Sequence, residues 1–224
     1  MEGGVIIDGQ VMGRTFLALL VVFAVIGAPI CAADAPAQPG VVDLLKLVDP
    51  QQQTLLIGWR LIDGTLVSDP TKPSHIEFPY VPPQEYDYRV VFTRSSGNGY
   101  MACICHGGDR QFVWRMGSAQ PTAAAGFGVV DGKNFGQNVS SRSGKWLLTG
   151  EQEELVIQIR RDGVQAILND VPISRLKTNY RNVALGSVFK QTRDDTIGLF
   201  IAPNDLTVES AEVIEISGPG QIIK

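Results

Sequence analysis

The 224-residue chain has three cysteines, two histidines and no cluster of lysine or arginine. A zinc centre would have to be assembled from His75, His106 and a few thiols. A disulfide framework is not implied either, because a domain of this size can be held together by its core alone. With 19 Lys+Arg against 23 Asp+Glu the formal charge is −4, and a mildly acidic chain without a basic patch is not expected to bind nucleic acid. The chain also lacks any long segment with a 3.6-residue apolar period, and beyond its N-terminal region it has no apolar run long enough to span a bilayer.

What is there begins with that one run, TFLALLVVFAVIGA from Thr15 to Ala28. It is too short for a transmembrane helix and fits the apolar core of a signal peptide. The small residues of ICAADA allow cleavage after Ala33 or after Ala35. Residues 1–33 are therefore read as a leader. Its first 11 residues carry Glu2 and Asp8 and no basic residue, so Met12, followed by Gly13-Arg14, makes the better start. Cys31 lacks the small residue just ahead of it that lipid attachment needs. The expected location is secreted or periplasmic, with no membrane span after cleavage. Residues 34–50 read as a spacer ending in a short helix over DLLKLV, and residues 51–224 as the folded domain.

The rest reads as strands. GWRLIDGTLVS has two short runs around Asp63-Gly64, a strong hairpin signal. YDYRVVFTR puts Tyr86, Tyr88, Val90 and Phe92 on one face, and ELVIQIRRDGVQAIL forms a second hairpin with Leu155, Ile157 and Ile159 inward. Turn clusters recur at SSGNG, HGGD, VDGK and RDGV. Ten or more strands at such spacing predict an all-β sandwich or barrel, with residues 117–126 and 133–145 as loops at its rim.

The order DLLKLVDP, W-x-L-x-DG-x-L-V-S, I-E-F-P-Y-x-PP-x-E-Y-D-Y-x-V-x-F-T-R, GG-x-R, VVDGK, R-x-DGV-x-A-x-L and AEVIEISG resembles bacterial exported domains of the concanavalin A-like jelly-roll class. Those domains are grouped with 3-keto-disaccharide hydrolases and family-16-like glucanases. The resemblance implies two antiparallel sheets, one of them concave, with carbohydrate on the concave face or its rim loops. Glucanases of that kind carry E-x-D-x-x-E on the active strand. Here Glu85-Tyr86-Asp87 and EQEE (151–154) both fall short of it, whereas retaining hydrolysis needs two carboxyl groups about 5–5.5 Å apart.

Several candidates follow. Glu85 and Asp87 share a strand face and are the candidates for acid and base. Cys103 and Cys105, two apart on a strand, point the same way too far apart for easy bridging. They read as buried free thiols, with a strained or intermolecular disulfide, or a metal shared with His106, as alternatives. In RQFVWRM, Phe112 and Trp114 alternate with Gln111 and Arg115, so Trp114 is expected in the core and Gln111 and Arg115 on the concave or solvent side. Arg110 is the preferred polar contact to a sugar, with Gln111, Arg115, Asn134, His106 and the ring of Trp59 as further ligand-binding candidates. Asp194, Asp195 and the loop carrying Asp131, Asn134 and Asn138 could supply oxygen ligands to calcium, although Asp- and Asn-rich turns also serve backbone geometry. Asn138-Val139-Ser140 matches a glycosylation sequon. The function expected is an exported carbohydrate-binding or envelope interaction module. The alternatives are a sugar-processing hydrolase or lyase, and a structural envelope domain with a protein partner.

Overall fold

The computed structural model describes residues 40–56, 58–117 and 124–223, so the leader and its cleavage sites lie outside the described residues. The described chain is built of antiparallel strands in two large sheets. The eight-stranded sheet runs Val171–Lys177, Gly163–Leu168, Gln152–Arg160, Tyr86–Gly97, Asn204–Glu215, Thr65–Val67, Arg60–Ile62, with Val41–Asp43 also on Asn204–Glu215. The seven-stranded sheet runs Arg142–Ser143, Ala124–Phe127, Arg110–Gly117, Tyr100–Gly107, Ile197–Ile201, Ser74–Phe78, Thr54–Leu56.

The predicted alternation is what packs the two sheets. Tyr86, Tyr88, Val90 and Phe92 are fully buried, as are Leu155, Ile157 and Ile159 on the neighbouring strand. From the facing sheet come Cys103, Cys105, Phe112, Trp114, Ile197 and Leu199, which join the same core cluster. In Asn204–Glu215 the inward set changes from Leu206 and Val208 to Ala211 and Val213, across a register shift between Val208 and Ser210. A bulge of one residue is what lets a long strand keep its apolar side inward after the parity changes.

Local signals place the turns. The hairpin Arg60–Ile62/Thr65–Val67 closes through Asp63 and Gly64 with φ of 49° and 82°, the left-handed pair that Asp-Gly supplies at least cost. Leu44–Leu47 forms a short 3-10 helix inside the segment expected to be helical, capped by Asp43, whose carboxylate accepts from Leu45 N–H at 3.1 Å. Two expectations need correction. Val41–Asp43, read as spacer, pairs with Glu212–Ile214 as a sheet strand. Ala124–Gly126, read as loop from its small residues, belongs to the strand Ala124–Phe127 against Trp114–Gly117. Smallness is what that strand needs, since a Cβ on Gly126 would stand 2.9 Å from the Ser140 carbonyl oxygen.

Candidate functional site

The outer face of the seven-stranded sheet is largely covered too, with Tyr100, His106, Gln111 and Arg115 half-buried. Alternation sends Ala102, Ile104, Val113, Phe200 and Ala202 outward, where Phe189 covers them to form a second apolar cluster with Tyr100 and Leu185 at its margin. The cover is the segment 185–196, and polar groups hold it down. Glu77, buried on the strand Ser74–Phe78, accepts from Thr192 N–H (2.8 Å), Arg193 N–H (3.2 Å) and the Thr196 hydroxyl (2.7 Å). Gln111 donates from Nε2 to the Gln191 side chain (2.6 Å) and to the carbonyls of Thr196 (2.8 Å) and Arg193 (3.1 Å). Gln111 thus stands on the outer face as expected, but its amide nitrogen is spent on the chain's own cover. Underneath, His75 packs edge-on to Phe200, with ring centroids 5.6 Å apart. Burial pushes its imidazole down to about 4.

Beyond the cover the face opens into a recess of about 230 Å³ lined by Val113, Arg115, Asn134, Phe135, Gly186 and Phe189, among others. Arg115 is its centre. Its guanidinium carbon lies 3.9 Å from the centroid of the Tyr100 ring and 4.2 Å from that of Phe135. Tyr100 in turn stacks on Phe200 at 5.7 Å and meets Phe189 edge-on at 6.3 Å, so the cation rests on a fixed aromatic wall.

The loop that brings in Asn134 and Phe135 is organised by Asn138. Its side-chain N–H groups face the carbonyls of Phe127 (2.9 Å), Gly128 (3.1 Å), Asn134 (3.2 Å) and Lys133 (3.4 Å). Its Oδ1 accepts from the Ser140 N–H (3.1 Å) and hydroxyl (2.6 Å). The sequon is therefore a loop brace: Asn138 and Ser140 are buried and their polar atoms are used internally. Tyr100, Phe135 and Phe189 were not among the sequence candidates, and Asn138 was one only as an oxygen ligand for calcium. The sequon pattern did mark Asn138, but it pointed to glycosylation.

The remaining candidates scatter. Trp59, proposed as a stacking ring, is 6% exposed within the inter-sheet core and so presents no face to a ligand. Trp114 lies in that core as expected, and Trp146 packs partly buried against it with its indole N–H on the Arg142 carbonyl at 2.9 Å. Arg110 is exposed in a different depression, with Asp109, Asn179, Tyr180 and Arg181, away from Arg115. His106 is half-buried. Burial pulls its pKa down against Asp195, Asp109 and Asp194, which raise it.

Asp87 stands on the eight-stranded sheet and Glu85 in the bend just ahead of that strand, so the two do not share a strand face and neither lies on this face. Asp87 is paired with Arg160 at 2.7 Å, and Glu85 accepts from the Arg161 N–H at 3.1 Å. The calcium candidates do not converge. Asp195 is paired with Arg193 at 2.6 Å and Asp131 accepts from Asn182 at 3.1 Å. Among the described residues no group of three or more His, Cys, Asp or Glu is placed to hold a metal ion. Cys103 and Cys105 are free and fully buried, and burial raises both thiols far above their ordinary value. This places the pair in the core as thiols, inert by the usual link between thiolate fraction and reactivity.

Two antiparallel sheets packed through one core and carrying a loop-covered outer face define a jelly-roll sandwich. No protein-family model matches the chain, and no curated protein matches it. Solved structures do match. The chain is similar to a Bacillus subtilis protein of unknown function with a galectin-like fold: 10% identity over 81% of this chain and 97% of that one, TM-score 0.55. It is similar also to the carbohydrate recognition domain of Emp46p, at 13% identity over 77% and 94% with TM-score 0.53. A third is the exoplasmic/lumenal domain of VIP36 in its Ca2+/Man2-bound form, at 7% identity over 80% and 88% with TM-score 0.52. At such identities the likeness establishes the fold.

Proposed function

We propose that the protein is an exported carbohydrate-binding module whose ligand enters the recess around Arg115. The observation that carries this reading is the Arg115 guanidinium held on Tyr100 and Phe135 beside the exposed Asn134. Sugar recognition combines an aromatic surface for the apolar ring face with a few planar polar groups for the hydroxyls, and this recess has both. Its volume suits one sugar unit or substituent rather than a buried oligosaccharide. Two of the similar structures are a carbohydrate recognition domain and a mannose-bound domain, which supports the reading. The apolar run Thr15–Ala28 supports export to the cell envelope or beyond.

A classical retaining glycosidase would need two carboxyl groups about 5–5.5 Å apart facing a bound sugar. Glu77, the buried carboxylate of this sheet face, is already taken by three donors. Glycan-array binding together with sugar-induced thermal shift tests the proposal. Wild-type protein should bind a restricted set of glycans, and Phe135→Ala should lose that binding with little change in melting temperature. Release of reducing sugar from polysaccharide or 3-keto-disaccharide would replace binding with hydrolysis. A blank array would leave a structural envelope domain with a protein partner.

A further inference from the structure

Arg115 is a cation at every accessible pH, yet among the described residues it forms no ion pair. Its Nε is buried without a hydrogen-bond partner among those residues. Desolvation pulls its pKa below the ordinary arginine value, and Tyr100 is the group that opposes this. Among the described residues none that lines the recess is acidic. The two aromatic rings attract the guanidinium, but quadrupoles compensate a charge less fully than an anion does.

General basicity is not the cause, because the chain as a whole is acidic at −4 and would repel a polyanion from most of its surface. What is uncompensated is one site. The donors of a guanidinium lie in its plane, and their planar complement is a carboxylate that accepts two of them side by side. A neutral hydroxyl would satisfy a donor and leave the charge unbalanced.

We propose that the recess takes a carboxylate-bearing sugar, its carboxylate seated on Arg115 and its hydroxyls on Asn134. This rests on the glycan-binding reading and narrows it to anionic glycans. Arg115 acts as the specificity residue, while Tyr100 and Phe135 fix its direction.

Isothermal titration of the full chain tests it with galacturonate, glucuronate and mannuronate oligosaccharides, each beside its methyl ester, and with neutral and sulfated oligosaccharides of the same length. The expected result is that at least one free acid binds about ten- to a hundredfold more tightly than its ester, the range for a charge-assisted hydrogen bond. That advantage should shrink as salt rises. Arg115→Gln should abolish the advantage by weakening the acid at least tenfold more than the ester, and Arg115→Lys should keep only part of it because the fork is lost. The acid-to-ester ratio of the wild type needs no variant, so it decides the matter even if Arg115→Gln fails to fold. Equal affinity for acid and ester, or binding of neutral sugars alone, overturns the anionic inference and leaves the glycan reading standing. Preference for the sulfated sugar overturns the carboxylate assignment. No binding of these probes or of any arrayed glycan overturns both.

Discussion

The strands Tyr100–Gly107 and Arg110–Gly117 present two faces made of alternating residues, and the two faces do different work. Inward, Cys103 pairs with Trp114 and Cys105 with Phe112, all within an apolar layer between sheets. Outward, Ala102 pairs with Arg115, Ile104 with Val113 and His106 with Gln111, under a segment fastened by Glu77 and Gln111. The inner face is closed by a second sheet that the whole fold supplies. The outer face is closed by a loop, and where the loop ends a charged, aromatic recess remains. A one-residue step along a strand thus separates packing from recognition.

That contrast is tested most severely at Trp114. Trp114→Ala should cost about 3–5 kcal/mol through lost burial and a residual cavity, read as a fall in urea midpoint, with glycan affinity retained by the folded fraction. Loss of affinity at unchanged midpoint would assign the ring to the ligand and erase the distinction between faces.

Next comes a pair of opposite pH dependences. On the inner side, burial holds the carboxyl of Glu153 up at about 7. The fold favours its protonated form, so that stability is fully present below 4.5, its ordinary value, and is lost as pH rises through about 7. On the outer face the fold favours neutral His75. That stability is present above 6.5 and is lost as pH falls through about 4. Glu153→Gln should flatten the alkaline arm of a stability–pH profile and His75→Phe the acid arm, each by on the order of 2–3 kcal/mol. Arms unmoved by either substitution would show that these groups titrate normally.

The brace under the recess should matter somewhat less. Asn138→Ala removes a donor group shared among four carbonyls, and leaving buried carbonyls unpaired costs about 1–3 kcal/mol. Because the loop it braces carries Asn134 and Phe135, glycan affinity should fall with it. A variant of unchanged stability and affinity would show that the loop holds its shape unaided. The smallest effect belongs to the thiols. Cys103→Ala with Cys105→Ala should cost about 1–2 kcal/mol as a packing change and leave binding intact, and a thiol reagent should label the wild type only on unfolding. Rapid labelling of the native protein would contradict their burial.

The apolar period of two in Tyr86–Phe92 and Leu155–Ile159, and the turn residues at Asp63-Gly64, were enough to give strands, hairpins and an all-β sandwich. Period and turn chemistry are properties of a few adjacent residues, and the chain states them directly. Trp114 and the two cysteines were legible as core for the same reason, and Gln111 and Arg115 as outward. Which outward residue remains open to a ligand was not legible. That depends on the segment 185–196 folding over Gln111 while its Gly186 and Phe189 line the recess at Arg115, and on Asn138 drawing Phe135 to a guanidinium 20 residues earlier in the chain. Trp59 looked like a stacking ring until the packing of two sheets closed over it, and Asp87 looked like a catalytic acid until Arg160 from the neighbouring strand paired with it. Local pattern determined the strands and their two faces. The pairing of Asp87, the burial of Trp59 and the recess were decided by contacts between residues far apart in sequence, which no short window of the chain can encode.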